Sequence, residues 1–272
     1  IMLAGIYYGA QYGGSTTAIL VNMPGESSSV VTALDGHAMA RQGRAGKALG
    51  IAAIGSFIAG TGGMLVVAGI AIPLSQLALS LTAGNYFALM VLGLTLAIVV
   101  GGGSLLKALC TLTIGVIMAL VGADQITGEA RLTFGSDVLY DGFDIAVVAM
   151  GLFGIAEILR NLETPERRPF ASGVVGSLLP DRKDMRDSAG AIARGSLLGA
   201  LVGIVPGNGA TLSSFASYAL EKRVARRPEA FGKGAIQGVA GPESANNAAA
   251  QTTFVPLLTL GLPSTATMAL IG

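Results

Sequence analysis

Ala48–Leu106 reads ALGIAAIGSFIAGTGGMLVVAGIAIPLSQLALSLTAGNYFALMVLGLTLAIVVGGGSLL, and no Asp, Glu, Lys or Arg occurs between Lys47 and Lys107. A bilayer span needs about 20 apolar residues at a rise of 1.5 Å each. As one helix this run would be about 90 Å long, so it folds back at least once. Residues 1–25, 195–220 and 244–272 are also free of charge. A soluble helix of such length keeps a polar face, and none is available here. The alternating ten-residue pattern of a barrel strand is absent. The sequence therefore specifies an all-α integral membrane protein.

The whole chain agrees with that reading. Of 272 residues, 52% are apolar and 12% charged, against about 25% charged in a soluble domain. The apolar content excludes disorder, and the lack of a Gly-X-Y period excludes collagen. One cysteine, Cys110, and one histidine, His37, exclude a disulfide framework and a Cys/His zinc site. A net charge of +1 gives no sign of a nucleic-acid partner. The chain starts at Ile1 and stops at Gly272 inside apolar segments, with no basic leader. It reads as an internal piece of a longer chain.

Charge placement sets the topology. Arg41, Arg44 and Lys47 follow Asp35 in a first basic loop. Segment 160–194 holds Arg160, Arg167, Arg168, Arg182, Lys183, Arg186 and Arg194. Segment 221–233 holds Lys222, Arg223, Arg226, Arg227 and Lys233. Residues 123–144 carry Asp124, Glu129, Asp137, Asp141 and Asp144 against Arg131 alone. The three basic segments are placed in the cytoplasm and the acidic one outside. Helices are then expected at about 49–72, 86–101, 106–122 and 145–159. Pro73 and Thr82–Asn85 form an outer turn, and Gly101–Ser104 a break. Residues 188–205 and 210–220, joined by Pro206-Gly207-Asn208-Gly209, form either two short spans or a re-entrant hairpin. The expected architecture is a polytopic helical bundle with broken or re-entrant helices and an internal repeat. It is one transmembrane domain over 1–272. Its repeat-like halves cover about 1–122 and 188–272, linked by outer loop 123–144 and cytoplasmic loop 160–187.

Forty glycines are twice the usual share. Most, such as Gly60, Gly62, Gly63 and Gly115, are expected to let helices pack closely. Others stand beside proline and amides. Gly9–Thr17 runs through Ala18–Val21 into Asn22-Met23-Pro24-Gly25-Glu26-Ser27-Ser28. Pro242-Glu243-Ser244-Ala245-Asn246-Asn247-Ala248 runs through Gln251-Thr252-Thr253 into Gly261-Leu262-Pro263-Ser264-Thr265. Proline removes an N–H and frees a carbonyl, and glycine lets the chain unwind. Freed carbonyls can hold Na⁺, and the next half-helix offers N–H groups to an anion. Matched interruptions in two halves point to a secondary transporter's site, whereas a single one can be a simple kink. Glu26 is either functional or at a hairpin mouth in water. Glu243 is either functional or a first-turn residue after Pro242. Glu157 is expected to pair with Arg160.

The stretch Gly5–Glu26, continuing through Ala33–His37 to Arg41-Gln42-Gly43-Arg44-Ala45-Gly46, resembles the large membrane subunit of the tripartite tricarboxylate transporters. Gly203–Ala210 and Gly241–Ala249 are similar to two further stretches of that family. The resemblance implies a bacterial inner-membrane, multi-pass secondary carrier of carboxylates, driven by an ion gradient, usually Na⁺. It implies a small four-helix membrane subunit and a periplasmic binding protein as partners. Members are about twice this length, which fits a fragment.

Combined with the interruptions, the expected substrate site comprises Ser15, Thr16, Asn22, Pro24, Gly25, Asn208, Gly209, Asn246, Asn247, Pro263, Ser264 and Thr265. Na⁺ is expected on Gly13, Gly14, Asn22, Gly261 and Thr265, offsetting charges that are costly to bury. An enzyme is disfavoured. The Pro206–Thr211 stretch lacks the Lys-Ser/Thr of a phosphate loop, and no Gly-x-Ser-x-Gly elbow occurs. His37 reads as a solvated loop residue and Cys110 as packing. An ion or solute channel and a non-transporting structural subunit are the other readings.

Overall fold

The computed structural model describes residues 2–80, 82, 84–85, 87–88, 91, 94–95, 104–124, 127–144, 147–148, 151, 155, 159, 177–205, 209–261, 263 and 265–271. Two compact units divide the chain, Ile1–Leu81 with Arg167–Gly272, and Thr82–Glu166. The first contains α1 (Met2–Val21), a single 3-10 turn (Ser27–Ser29), α2 (Val30–Arg41) and α3 (Ala45–Leu79). It continues with α5 (Arg182–Gly203), α6 (Gly209–Val224), α7 (Gln237–Thr252), α8 (Phe254–Leu260) and α9 (Ala266–Ile271). The second contains α4 (Leu105–Ala119) and a two-stranded hairpin, β1 (Gly122–Ala123) with β2 (Ala130–Arg131).

Segment Ala45–Ile70 of α3 is, among the described residues, the one helix long and apolar enough to cross a membrane. The expected end at Pro73 is corrected: α3 continues through Pro73 to Leu79. Proline removes one helical hydrogen bond, which kinks a helix without necessarily ending it. The expected spans 86–101 and 145–159 lie largely outside the described residues, as do Glu157 and Arg160.

The unexpected feature is α7. Its sequence, QGVAGPESANNAAAQT, carries no large apolar residue beyond Val239, yet residues 238–250 are all buried. Small side chains explain this. A β-carbon at Gly195, Gly199 or Gly203 of α5 would collide with the backbone carbonyls of Gly241, Ala245 and Ala249 respectively. Both helices advance four residues per contact, so they run parallel and touch backbone to backbone. On the other side, a β-carbon at Gly55 would lie 2.8 Å from Ser244 Oγ. One at Gly63 would lie 2.9 Å from Gln251 Cβ. Thus α3 is also parallel to α7. Ser213 Oγ of α6 donates to Ala245 O at 3.2 Å and Ser214 Oγ to Pro242 O at 3.2 Å, an antiparallel register. Of the four glycines expected to pack, Gly60 meets the Tyr8 ring and Gly63 meets α7. Gly62 and Gly115 have nothing within 4 Å.

The ends of the helices that carry the basic segments are tied by charge. The expected loop from Asp35 is corrected, because α2 extends to Arg41. Asp35 is fully buried on it and accepts from the N–H groups of Gly232 (2.9 Å), Gly234 (2.8 Å) and Ala235 (2.8 Å). Tyr218 Oη donates to its other oxygen at 2.9 Å. His37 is also on α2, half-buried, with Nδ1 3.1 Å from Ile19 O. Asp181 caps α5 by accepting from Asp184 N at 2.8 Å, and Lys47 Nζ reaches both Asp181 and Asp184 at 2.7 Å. The Lys47 hydrogen bond and the Asp184 amide hold the exposed Asp181 carboxyl down at about 2. Arg194 and Glu221, which bound the charge-free hairpin, pair with each other in a fork at 2.8 and 2.7 Å.

In the second unit, α4 starts after Ser104, close to the expected 106. The acidic loop contains the β1–β2 hairpin, braced by the Arg131–Asp124 ion pair. Cys110 is exposed on α4 rather than packed.

Candidate transport site

The first interruption is a true reversal of the chain. Helix α1 stops at Val21, and Asn22 takes a left-handed conformation (φ 55°). Pro24 offers no N–H to continue a helix. Met23 N then donates to Thr17 O and Gly25 N to Gly14 O, both at 3.3 Å, so residues 22–26 run back along α1. A β-carbon on Gly25 would sit 2.6 Å from Gly14 Cα. Only glycine at both positions permits this approach. The chain then turns at Ser27–Ser29, with Ser28 Oγ donating to Gln11 Oε1 at 3.4 Å, and α2 proceeds parallel to α1. Non-helical backbone at membrane depth persists where protein buries it or a cavity adjoins it.

The second interruption is also present. Gly261 ends α8 with φ 66°, its N–H on Leu257 O at 3.0 Å. Thr265 Oγ1 accepts from Met268 N at 3.1 Å and so opens α9, while Pro263 is exposed. Ser264 lies outside the described residues, as does Asn208 with the rest of the 206–208 tip. Met268 and Ile271 pack with Tyr7 and Ala250. Tyr7 is about 10 Å along α1 from Gly14, at 1.5 Å per residue.

The first interruption meets α7 instead. Of the two readings of Glu243, the first-turn placement is corrected: α7 begins at Gln237 and passes unbroken through Pro242. Glu243 is fully buried. Its Oε2 accepts from the Ser15 hydroxyl and its Oε1 from the Thr32 hydroxyl at 2.5 Å. One turn on, Asn246 Nδ2 donates to Glu26 Oε1 at 3.2 Å and to Gln11 O at 3.3 Å. Asn247 Nδ2 donates to Ser56 Oγ at 2.8 Å and to Glu243 O at 2.9 Å. Gln11 and Ser15 on α1 thus face Glu243 and Asn246 on α7, with Glu26 and Thr32 closing the cluster from α2 and its approach.

At the outer edge, Ser27 Oγ and Thr211 Oγ1 are 2.7 Å apart and exposed. Gly209 starts α6 hard against Gly203, whose Cα would be 3.1 Å from a Gly209 β-carbon. The start of α6 therefore abuts the reversal at 22–29. Of the expected residues, Ser15, Asn246 and Asn247 meet at α7, Gly209 stands at this edge, and Asn22, Pro24 and Gly25 lie in the reversal itself. Thr16 is half-buried on α1, whereas Gly261, Pro263 and Thr265 stand at the other interruption. Gly13 and Gly14 are inside α1, and Gly14 O already accepts from Gly25 N and from Thr17 Oγ1 at 3.1 Å. Gln11, Ser27, Thr32, Ser56 and Thr211 were not singled out from the sequence. Their signal was polarity inside apolar runs, shared by many neighbours.

Compared with known proteins, residues 1–272 match the family described as the Tripartite tricarboxylate transporter TctA family. The chain belongs to that family. This TctA-family chain is 55% identical over 271 residues to an uncharacterized 52.8 kDa protein in the TAR-I ttuC' 3' region of Agrobacterium vitis. The match covers 100% of this chain and 54% of the relative. It is also 64% identical over 73 residues to an uncharacterized protein in the TAR-II ttuC' 3' region of the same organism, covering 27% of this chain and 30% of that one. The chain thus spans about half the length of the larger relative. No solved structure matches it. The family matched is one of transporter subunits, and no catalytic family is indicated.

Proposed function

We propose that this chain forms the carboxylate-handling half of a multi-pass, Na⁺-coupled secondary carrier in a bacterial inner membrane. A periplasmic binding protein delivers the substrate, and a small four-helix membrane subunit completes the assembly. The observation that carries this reading is the contact of Ser27, at the end of the first chain reversal, with Thr211 in the first turn of α6, next to a buried polar cluster. The Ser27 and Thr211 hydroxyls and the N-terminal end of α6 there offer donors to an organic carboxylate of the citrate type. Ser15 and Asn247, occupied by Glu243 and Ser56, support the site from behind rather than touch substrate.

A cysteine at Thr211 tests this in the full-length protein, with Cys110→Ser as background. A charged methanethiosulfonate reagent should modify Thr211→Cys. Citrate or a related acid at ten times its Kd should slow the reaction about tenfold. A cysteine at Gly62, which faces open space, should show no protection. Equal rates at Thr211→Cys with every carboxylate tried would remove the substrate from this edge.

A further inference from the structure

Two carboxylates without a basic partner flank one stretch of α1: Glu243 accepts from Ser15, and half-buried Glu26 lies against Gly14. Glu243 is fully buried and Glu26 is held by Asn246. Among the described residues, every ion pair lies elsewhere, at Arg44, Lys47, Arg131 and Arg194. Isolated buried carboxylates are too costly to persist as bare charges. Hydroxyl donors from Ser15 and Thr32 satisfy lone pairs of Glu243 but bring no positive charge. A second, independent observation comes from Asn246. It is wholly buried, its Nδ2 is engaged by Glu26, and its Oδ1 has no donor. This buried amide oxygen, on the side chain that holds Glu26 and one turn from Glu243, is left without the partner that buried polar atoms ordinarily have. The oxygen donors of this corner suit a positive species that takes hard ligands.

We infer that Glu26, Glu243 and the Oδ1 of Asn246 form a seat for one Na⁺ ion. The inference rests on the carrier reading above and names the coupling ion's place within it, away from the helix-interruption carbonyls. Carboxylate and amide oxygens suit a hard cation and disfavour a soft one. A divalent ion between two buried carboxylates would be held tightly, whereas a coupling ion has to leave in every cycle. The seat ties the reversal at 22–26 to α7, since Glu26 ends the reversal and Asn246 belongs to the helix. Cation binding would therefore fix the reversal, and with it Ser27 at the substrate edge. Thr32 and Ser15 keep the Glu243 carboxylate turned toward the seat.

The test is thermal unfolding of the full-length protein in detergent with NaCl, KCl, choline chloride or CaCl2 at matched ionic strength. NaCl should raise the midpoint by about 5 °C over KCl. Glu243→Gln and Glu26→Gln should each abolish that difference, and Asn246→Asp, which keeps an oxygen, should retain it. Should one glutamine variant not fold, the other still decides. Equal shifts with NaCl and KCl, a larger shift with CaCl2, or a Na⁺ effect unchanged in both glutamine variants would overturn the seat. So would stabilisation that follows pH alone, which would assign the pair a proton. Citrate protection of Thr211→Cys is read in the same preparations. Protection without the Na⁺ pattern sinks only the seat, whereas loss of protection sinks the carrier reading.

Discussion

Asp35→Ala should lower stability by about 3–6 kcal/mol, because it strands several buried donors at once. The Asp35 carboxylate receives the N–H groups of Gly232, Gly234 and Ala235 and the hydroxyl of Tyr218. Each buried donor left unmet costs about 1–3 kcal/mol, less where water can enter. Such a loss is a large share of the roughly 5–15 kcal/mol that holds a protein folded. The residue also anchors three elements together, α2 through its own backbone, α6 through Tyr218, and the turn that leads into α7. Tyr218 stacks edge-on to Phe231 at 5.4 Å, so its displacement would loosen the same corner. Asp35→Asn keeps the shape and one acceptor, and should lose less than half as much. The readout is the unfolding midpoint and the fraction of monodisperse protein in detergent. An Asp35→Ala protein that melts with wild type would show that the corner carries no weight.

Gly199→Val should have the next largest effect. A β-carbon there would collide with the carbonyl of Ala245 on α7, and the colliding atom is backbone, which cannot rotate away. Overpacking a close helix contact costs about 1–3 kcal/mol and occasionally more. We expect the upper end, about 3 kcal/mol, since Gly195 and Gly203 fix the same interface one turn away on either side. The matched control is Gly62→Val on α3, where nothing lies within 4 Å. Folded yield and midpoint should fall for the first and stay level for the second. Equal behaviour of the two variants would mean that α5 and α7 do not pack through glycine.

The apolar helices were legible because hydropathy decides them. The charge-free run after Lys47 became α3, and Leu105–Ala119 fell close to its expected place. The hairpin of α5 and α6 was also visible, but both helices extend into charged ends, to Arg182 and to Val224. Hydropathy stops at the first charge, whereas a capped helix does not; the reciprocal Asp181–Asp184 cap starts α5 outside the apolar stretch. Helix α7 was illegible for the opposite reason. Its alanines, glycines and amides resemble a loop, and only the matching glycines of α5 and α3 make it a buried core. The Asn22–Gly25 interruption was readable from Asn, Pro and Gly in series. Its partner was not, because contact between residues 11–32 and 243–246 is a property of the folded chain. The two prolines suggested that 22–25 and 261–265 act together, yet it is the unbroken α7 that receives the first of them.

Exchange across a membrane tests the central claim most directly. The full-length protein with the proposed small membrane subunit, reconstituted in vesicles with a Na⁺ gradient, should take up labelled carboxylate. Unlabelled carboxylate inside should accelerate the entry of label, as an alternating carrier requires. Thr211→Val and Glu243→Gln should each reduce that exchange while leaving the protein folded. Entry of label that is indifferent to internal substrate, or full exchange in both variants, would contradict a carrier built on this cluster.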